Sequence, residues 1–310
     1  MKLPAPFEGL IAAPFTPFHA DGRLNLSPIR HYAKHLATDG VRGAFIGGTT
    51  GEGASLSTVE RQRVTEAWCR HRPASLAVIV HVGHNAASDS RVLACHAQDA
   101  GADAIAALAP SFFRPGDLDA LVDWCGFVAA AAPRLPFYYY HMPSMTGVDF
   151  PMARFHAEAV RRLPTYAGIK FTHGDLVDFA DTLALAVDRR SVLAGRDEFL
   201  LAYLALGARG AVGSTYNYAS PLYQRLLSAF DANDLPAARR WQAAARTLIH
   251  CLNRHGGLPA NKAIMGLVSG IDCGPVRAPL RPLSRAAQVR LRRDLHATAF
   301  HPALAAARRA

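Results

Sequence analysis

Short apolar runs of strand length alternate with amphipathic stretches of helical length along most of the chain. Eight runs read as strands: 9–14, 43–47, 77–82, 104–109, 137–140, 167–171, 192–194 and 210–213. Several are apolar at consecutive positions, as parallel strands covered on both faces should be. The segments 27–38, 58–71, 87–100, 118–131, 152–161, 175–187 and 197–206 between them read as helices. Ser57 and Glu60 have capping-box spacing ahead of the second helix, and Gly40, Gly101 and Gly207 follow helical runs where a left-handed cap is wanted. After the eighth strand the pattern is helical only, over 221–230, 235–254, 260–268 and 284–298, and the alanine- and arginine-rich tail 303–310 is expected to fray.

Eight strands alternating with helices close most simply into an α/β fold of the (β/α)8 TIM-barrel type with a C-terminal helical appendage. An open doubly wound sheet would favour a Gly-rich phosphate turn after the first strand, and Pro14-Phe15-Thr16-Pro17-Phe18 stands there instead. We divide the chain into a barrel, 1–232, and an extension, 233–310, packed on it with no Gly/Ser linker between them. With 310 residues, half of them hydrophobic, the core is ample for one large domain of this kind.

Composition removes several classes of function. The apolar stretches 76–80 and 104–110 are far too short to span a bilayer, and no apolar signal region follows the N-terminus, so a cytoplasmic protein without membrane partners is expected. The five cysteines, Cys69, Cys95, Cys125, Cys251 and Cys273, are odd in number and include no C-x-x-C pair, which argues against a disulfide framework. A net charge of +10 attracts anions generally, but the arginines are dispersed and no nucleic-acid motif is present. A solvated, arginine-rich surface and a small anionic substrate fit this balance. None of the fourteen histidines falls in a metal-ligand spacing, so no metal is expected. His81 and His141, at strand ends, read as hydrogen-bonded structural residues.

Only four lysines occur, Lys2, Lys34, Lys170 and Lys262, so a lysine inside an apolar strand needs its own reason. Active sites of such barrels lie at the C-terminal ends of the strands. Lys170, in GIKFT at 168–172, ends the sixth. Turned inward and desolvated, its amine would lose its proton more easily and could attack a carbonyl; a structural lysine paired with a carboxylate is the competing reading. GGTTGEG at 47–53 ends the second strand, and Thr49, Thr50 and the turn amides suit a carboxylate or phosphate. Glu52 reads as a loop-holding residue. In the fifth strand Tyr138 and Tyr140 share a face, and strand pattern alone does not choose between them as a proton carrier.

Five motifs, GGTTGEG at 47–53, YYYHMPSMTG at 138–147, GIKFT at 168–172, GRDE at 195–198 and GSTYN at 213–217, resemble the pyruvate-dependent class I aldolase superfamily of dihydrodipicolinate synthases and N-acetylneuraminate lyases. The similarity runs from about Gly9 into the C-terminal helices. GSTYN and G-x-DE resemble the lyase branch, and 138–147 with 262–270 resemble its animal-type members. The resemblance implies that Lys170 forms a Schiff base with the C2 carbon of pyruvate and that Tyr140 relays protons. It implies that Thr49 and Thr50 hold the pyruvyl carboxylate, and that Thr172, Gly195, Asp197, Glu198 and Ser214 bind the sugar portion. It also implies a homotetramer and no cofactor. Met145 stands where the synthases carry an arginine for a second carboxylate, a task suited to a guanidinium fork, so a neutral, hydroxylated substrate tail is expected. Phe112 and Phe113 replace tyrosines common near Pro110, His141 replaces a common asparagine, and Arg196 precedes the Asp-Glu pair at a variable position.

The activity so implied is reversible cleavage of N-acetylneuraminate to N-acetylmannosamine and pyruvate. A 2-keto-3-deoxy sugar-acid aldolase or dehydratase, or a synthase-like enzyme, would share the imine chemistry; Asp197, Glu198 and Ser214 weigh against it, and a substrate panel decides. A non-catalytic keto-acid sensor is disfavoured by the complete set of Lys170, Tyr140, Thr49 and Thr50.

Overall fold

The structure, a computed structural model, describes residues 3, 5–187 and 190–309. Met1, Lys2, Pro4, Asp188, Arg189 and Ala310 lie outside the described residues, and with them parts of the predicted N-terminus and tail. Eight parallel strands close into a barrel in sequence order: β1 (Gly9–Ala12), β2 (Gly43–Ile46), β3 (Ala77–His81), β4 (Ala104–Leu108), β5 (Phe137–His141), β6 (Tyr166–Phe171), β7 (Ser191–Ala194) and β8 (Gly210–Gly213). Closure is made by β1, which pairs with β2 on one side and with β8 on the other.

The helices of the outer layer are α1 (Ile29–Thr38), α2 (Thr58–His71), α3 (Ala87–Asp99), α4 (Leu118–Ala129), the single turn α5 (Pro143–Thr146), α6 (Met152–Arg162), α7 (Leu176–Leu185), α8 (Leu200–Ala205) and α9 (Tyr216–Asp231). The Ser57–Glu60 capping box is formed at the start of α2, and Gly40, Gly101 and Gly207 have the positive φ expected of caps. Then follow α10 (Leu235–Arg254), α11 (Leu258–Ser269), α12 (Arg285–His296) and α13 (Phe300–Arg309).

Alternation along the strands separates two cores. Ile11, Phe45, Ile79, Ala106, Tyr138, Tyr140, Leu193 and Val212 fill the barrel interior. Leu10, Ala44, Val80, Ala107, Tyr139, Phe171 and Ala211 face the helices.

Three expectations need correction. The helix expected over 197–206 is a 3-10 turn, Asp197–Phe199, followed by the short α8. The helix expected to begin at Pro221 begins at Tyr216 and carries Pro221 inside it. Proline has no N–H to give the Asn217 carbonyl four residues back, and the His35 ring takes that carbonyl instead, at 2.9 Å. The tail expected to fray forms α13: Phe300, Leu304 and Ala307 fall on one helical face and are buried, and α13 packs on α9 and α10. Cys69, Cys95, Cys125, Cys251 and Cys273 are all free, the first three within α2, α3 and α4. Among the described residues no helix is long and apolar enough to cross a membrane.

Candidate active site

Lys170 reaches the barrel interior through an irregularity in β6. Phe137 pairs with Tyr166, but Tyr138 pairs with Gly168, so β6 carries one extra residue there. Ala167 faces the interior, whereas Tyr166, Ile169 and Phe171 face the helices. Without the extra residue, alternation from Ala167 would turn Lys170 outward; the bulge re-aims it. Gly168 permits this at φ +147°, where a Cβ would lie 1.9 Å from the Ser191 carbonyl oxygen.

Turned inward, Lys170 is buried. Its Nζ lies 3.8 Å from the centre of the Tyr140 ring and 4.0 Å from that of Phe45. Among the described residues no carboxylate makes an ion pair with it, so the competing reading of a carboxylate-paired lysine does not apply. Burial lowers its pKa below the ordinary lysine value, against the opposing influence of Tyr140 and of the more distant Asp197.

Tyr138 and Tyr140 both face inward, yet only Tyr140 lines the cleft above Lys170. Tyr138 stacks near Phe7, its hydroxyl lies 3.4 Å from Ser191 Oγ, and burial pushes its pKa up to about 12. The Tyr140 hydroxyl is 3.3 Å from Thr49 Oγ1 and donates to the Met142 sulfur at 3.1 Å. Sulfur is a weak acceptor, so this phenol is easily redirected to a better partner.

The 47–53 turn brings Thr49 and Thr50 to the same cleft. It is held from both sides. Leu108 N–H donates to His81 Nε2 at 3.2 Å, so the other nitrogen, Nδ1, carries the proton and donates to the Gly47 carbonyl at 3.0 Å. Burial keeps this imidazole neutral. His81 is thus the hydrogen-bonded structural residue expected. Glu52, at φ 54°, accepts from Lys262 Nζ at 2.8 Å and from the Arg277 backbone N–H at 2.7 Å. It ties the turn to α11 and to the chain after it, the loop-holding part read from sequence.

The residues assigned to the sugar gather on the other wall. Thr172, Gly195, Asp197, Glu198 and Ser214 all line the cleft. Asp197 is buried and accepts from both the backbone N–H and the hydroxyl of Thr215, at 2.9 and 2.6 Å. Desolvation raises its pKa to about 6 in spite of those bonds. Gly213 makes room for it, since a Cβ there would stand 2.0 Å from Asp197 Oδ1. Gly195 does the same for Thr172, whose Oγ1 would be 2.2 Å from such a Cβ. That Oγ1 is buried without a hydrogen-bond partner. Glu198 is half-buried and accepts from Arg196 at 2.7 and 3.0 Å. Asn217 fastens this wall to β1 by donating to the Ala13 and Ser214 carbonyls, both at 2.7 Å.

The cleft encloses about 500 Å³, room for a sugar-acid-sized molecule. Sequence reasoning missed part of its lining. Ile249, Leu252 and Asn253 of α10 and Asn261 of α11 close one side, and Asn261 Nδ2 donates to Ser214 Oγ at 2.9 Å. Their strand-distant positions gave no signal beyond the 262–270 similarity. Met145 also lines the cleft.

His141 departs from its expected hydrogen-bonded state. It is buried, and neither ring nitrogen has a hydrogen-bond partner. Desolvation, and next the neighbouring His173, push its pKa down to about 3. Asp149 and His173 face it.

This arrangement has counterparts in known proteins. The mouse N-acetylneuraminate lyase is 44% identical over 278 residues, covering 88% of this chain and 87% of its own. The solved structure of the Proteus mirabilis N-acetylneuraminate lyase superposes with a TM-score of 0.92 at 39% identity, covering 95% of this chain and 99% of its own. That of the N-acetylneuraminate lyase (sialic acid aldolase) from Aliivibrio salmonicida gives 0.92 at 40% identity, covering 95% and 98%. The model of the dihydrodipicolinate synthetase family matches residues 6–298, and with nearly the whole barrel and appendage inside that match, the chain belongs to this family.

Proposed function

We propose that this chain is a class I aldolase that reversibly cleaves N-acetylneuraminate to N-acetylmannosamine and pyruvate, with Lys170 as the covalent nucleophile. The observation that carries the reading is the buried, carboxylate-free amine of Lys170 on the floor of a polar cleft. The names of the relatives reported above support the substrate.

The neutral Lys170 amine adds to the C2 ketone of the open-chain substrate, and loss of water gives an imine that is protonated on nitrogen. Tyr140 gives its phenolic proton to the carbinolamine hydroxyl as water leaves. The resulting phenolate takes the proton of the C4 hydroxyl, directly or through the substrate carboxylate, as the C3–C4 bond breaks. The electron pair of that bond moves toward the cationic nitrogen to leave an enamine. The aldehyde departs as the amino sugar. Protonation at C3 and hydrolysis then release pyruvate and free Lys170. Thr49 and Thr50 hold the carboxylate, and the Thr49–Tyr140 contact of 3.3 Å makes a short path for the proton. Thr172, Asp197, Glu198 and Ser214 bind the hydroxylated tail, with the orphaned Thr172 hydroxyl available as donor or acceptor. No metal takes part in this chemistry, and exhaustive chelation is expected to leave turnover in place.

The functional unit is a cytoplasmic homotetramer of chains divided at 232/233. Phe112 and Phe113, 78% and 85% exposed, support burial against another copy. Light scattering reports the assembly. The catalytic reading is tested by reducing the protein with borohydride in the presence of pyruvate and mapping the adduct by mass. An adduct of pyruvate mass on Lys170 supports the reading, and a folded protein with no adduct overturns it.

A further inference from the structure

His141 is the last residue of β5, and its side chain lies outside the barrel, behind the strand that carries Tyr140. Leaving a buried polar nitrogen without a partner costs about 1–3 kcal/mol, and both of its ring nitrogens are in that state. Two other ligand-type groups face it. His173 follows the end of β6, and Asp149 lies in the segment after α5. One ligand atom from each of the three lies within 4.8 Å of the others. His141 Nε2 is 3.9 Å from the nearer Asp149 oxygen, and the two imidazole rings are 5.6 Å apart at 69°.

These separations are too long for direct hydrogen bonds and somewhat longer than an occupied metal shell. Bonds of roughly 2.0–2.1 Å in a tetrahedral zinc site hold the ligand atoms roughly 3.4 Å apart. The contraction needed is small, and two of the three groups have room for it. Asp149 is 62% exposed and His173 is half-buried, so both can swing toward the fixed His141. None of the three lines the catalytic cleft.

We propose that His141, Asp149 and His173 form a binding site for one divalent first-row transition ion, which ties the end of β5 to the segment leaving β6. Two imidazoles and a carboxylate favour zinc-type ions over magnesium or calcium, which prefer all-oxygen shells. A fourth position remains for water. The ion stabilises the strand ends that carry Tyr140 and Lys170 and does not enter the reaction. A trapped water bridging the three groups is the competing occupant, and it predicts no metal affinity.

The test uses the full chain, stripped with EDTA and then titrated with zinc chloride. Bound zinc is counted by native mass spectrometry and the affinity measured by competition with a chelating dye. Because surface histidines bind zinc weakly, a control is needed. His84→Ala removes the exposed His84–Asp89 pair, whose atoms are 3.5 Å apart. The expected result is one tight ion per chain in the parent and in His84→Ala, with affinity at least about ten-fold weaker in His173→Ala and in Asp149→Asn. Zinc should also raise the thermal midpoint of the parent but not of His173→Ala, and magnesium should do neither. A parent that binds no zinc, or binds it no more tightly than His173→Ala, overturns the proposal. So does a loss of the tight ion in His84→Ala.

Discussion

Two lysines are buried among the described residues, in similar surroundings but with different partners. Lys170 and Lys262 are 4% and 2% exposed, and each Nζ lies about 4 Å above an aromatic ring, Tyr140 and Phe45 for one and Phe18 for the other. Taking an ammonium out of water costs several kcal/mol even after relaxation, and a ring face returns only about 1–2 kcal/mol. Rings alone therefore do not hold the charge. Lys262 has Glu52 at 2.8 Å, on a side chain as buried as its own, and that carboxylate opposes the desolvation, which still lowers the Lys262 pKa. Lys170 has no carboxylate in ion-pair contact among the described residues, and desolvation lowers its pKa against only Tyr140 and the more distant Asp197. One lysine is a structural cation that fixes the 47–53 turn to α11. The other has no carboxylate to hold its proton, as the proposed nucleophile requires. What separates the strut from the proposed reagent is a single counter-ion.

The comparison is broken most severely by removing the reagent. Lys170→Ala is expected to abolish imine trapping and to lower kcat by at least about 10⁴-fold, with denaturant unfolding showing no loss of stability beyond the small cavity. Removing the strut should do the reverse. Lys262→Met leaves Glu52 buried without its cation, and stability measured in urea should fall by about 3–5 kcal/mol. The folded remainder should still form the Lys170 adduct. Adding Glu52→Gln should recover more than half of the lost stability, because the glutamine oxygen can still accept from the Arg277 N–H. A double variant as unstable as Lys262→Met alone would mean that the pair is not what Lys262 supplies.

Tyr140→Phe sharpens the picture at the reactive end. The ring that walls Lys170 stays, and only the hydroxyl at 3.3 Å from Thr49 is lost. kcat for cleavage should drop by about 10²-fold, while borohydride trapping of pyruvate persists. Full turnover in this variant would remove Tyr140 from the proton path.

Much of this was legible in the sequence. Strands buried on both faces leave continuous apolar runs, and no predicted strand end differs from the structure by more than two residues. Motifs at strand ends located the cleft, because a closed barrel brings all its C-terminal ends together. What escaped depended on three dimensions. The direction of Lys170 rests on the extra residue at Gly168, and simple alternation from Ala167 gives the wrong face. Tyr138 and Tyr140 share a face and differ only in depth along the barrel axis, which strand register sets. Asn261 reaches Ser214 across 47 positions, and no local spacing contains that pairing. His141, Asp149 and His173 are brought together by two strands and a loop, so a search for metal-ligand spacings passes over them. The tail was misread because its alanine and arginine content hid the buried stripe of Phe300, Leu304 and Ala307.

The smallest expected effect concerns pH, and it reads the proton of Lys170 without disturbing the fold. Lys170 has a lowered pKa in the folded chain and an ordinary one when unfolded. Between those two values the unfolded chain binds more protons, so stability rises with pH through that window. Below the folded pKa both states are protonated, and the full cost of burying the cation is present. Lys170→Met carries no such cost. The stability difference between Lys170→Met and the parent should therefore be largest below the folded pKa and shrink as pH rises toward the unfolded value. The trapping rate with pyruvate should climb over the same folded transition, because only the neutral amine attacks. Urea unfolding of both proteins across the alkaline range, beside the trapping profile, reads both curves. If the midpoint of trapping lay at the ordinary lysine value, Lys170 would be no more desolvated than a surface lysine, and its reading as a neutral nucleophile would lose its physical basis.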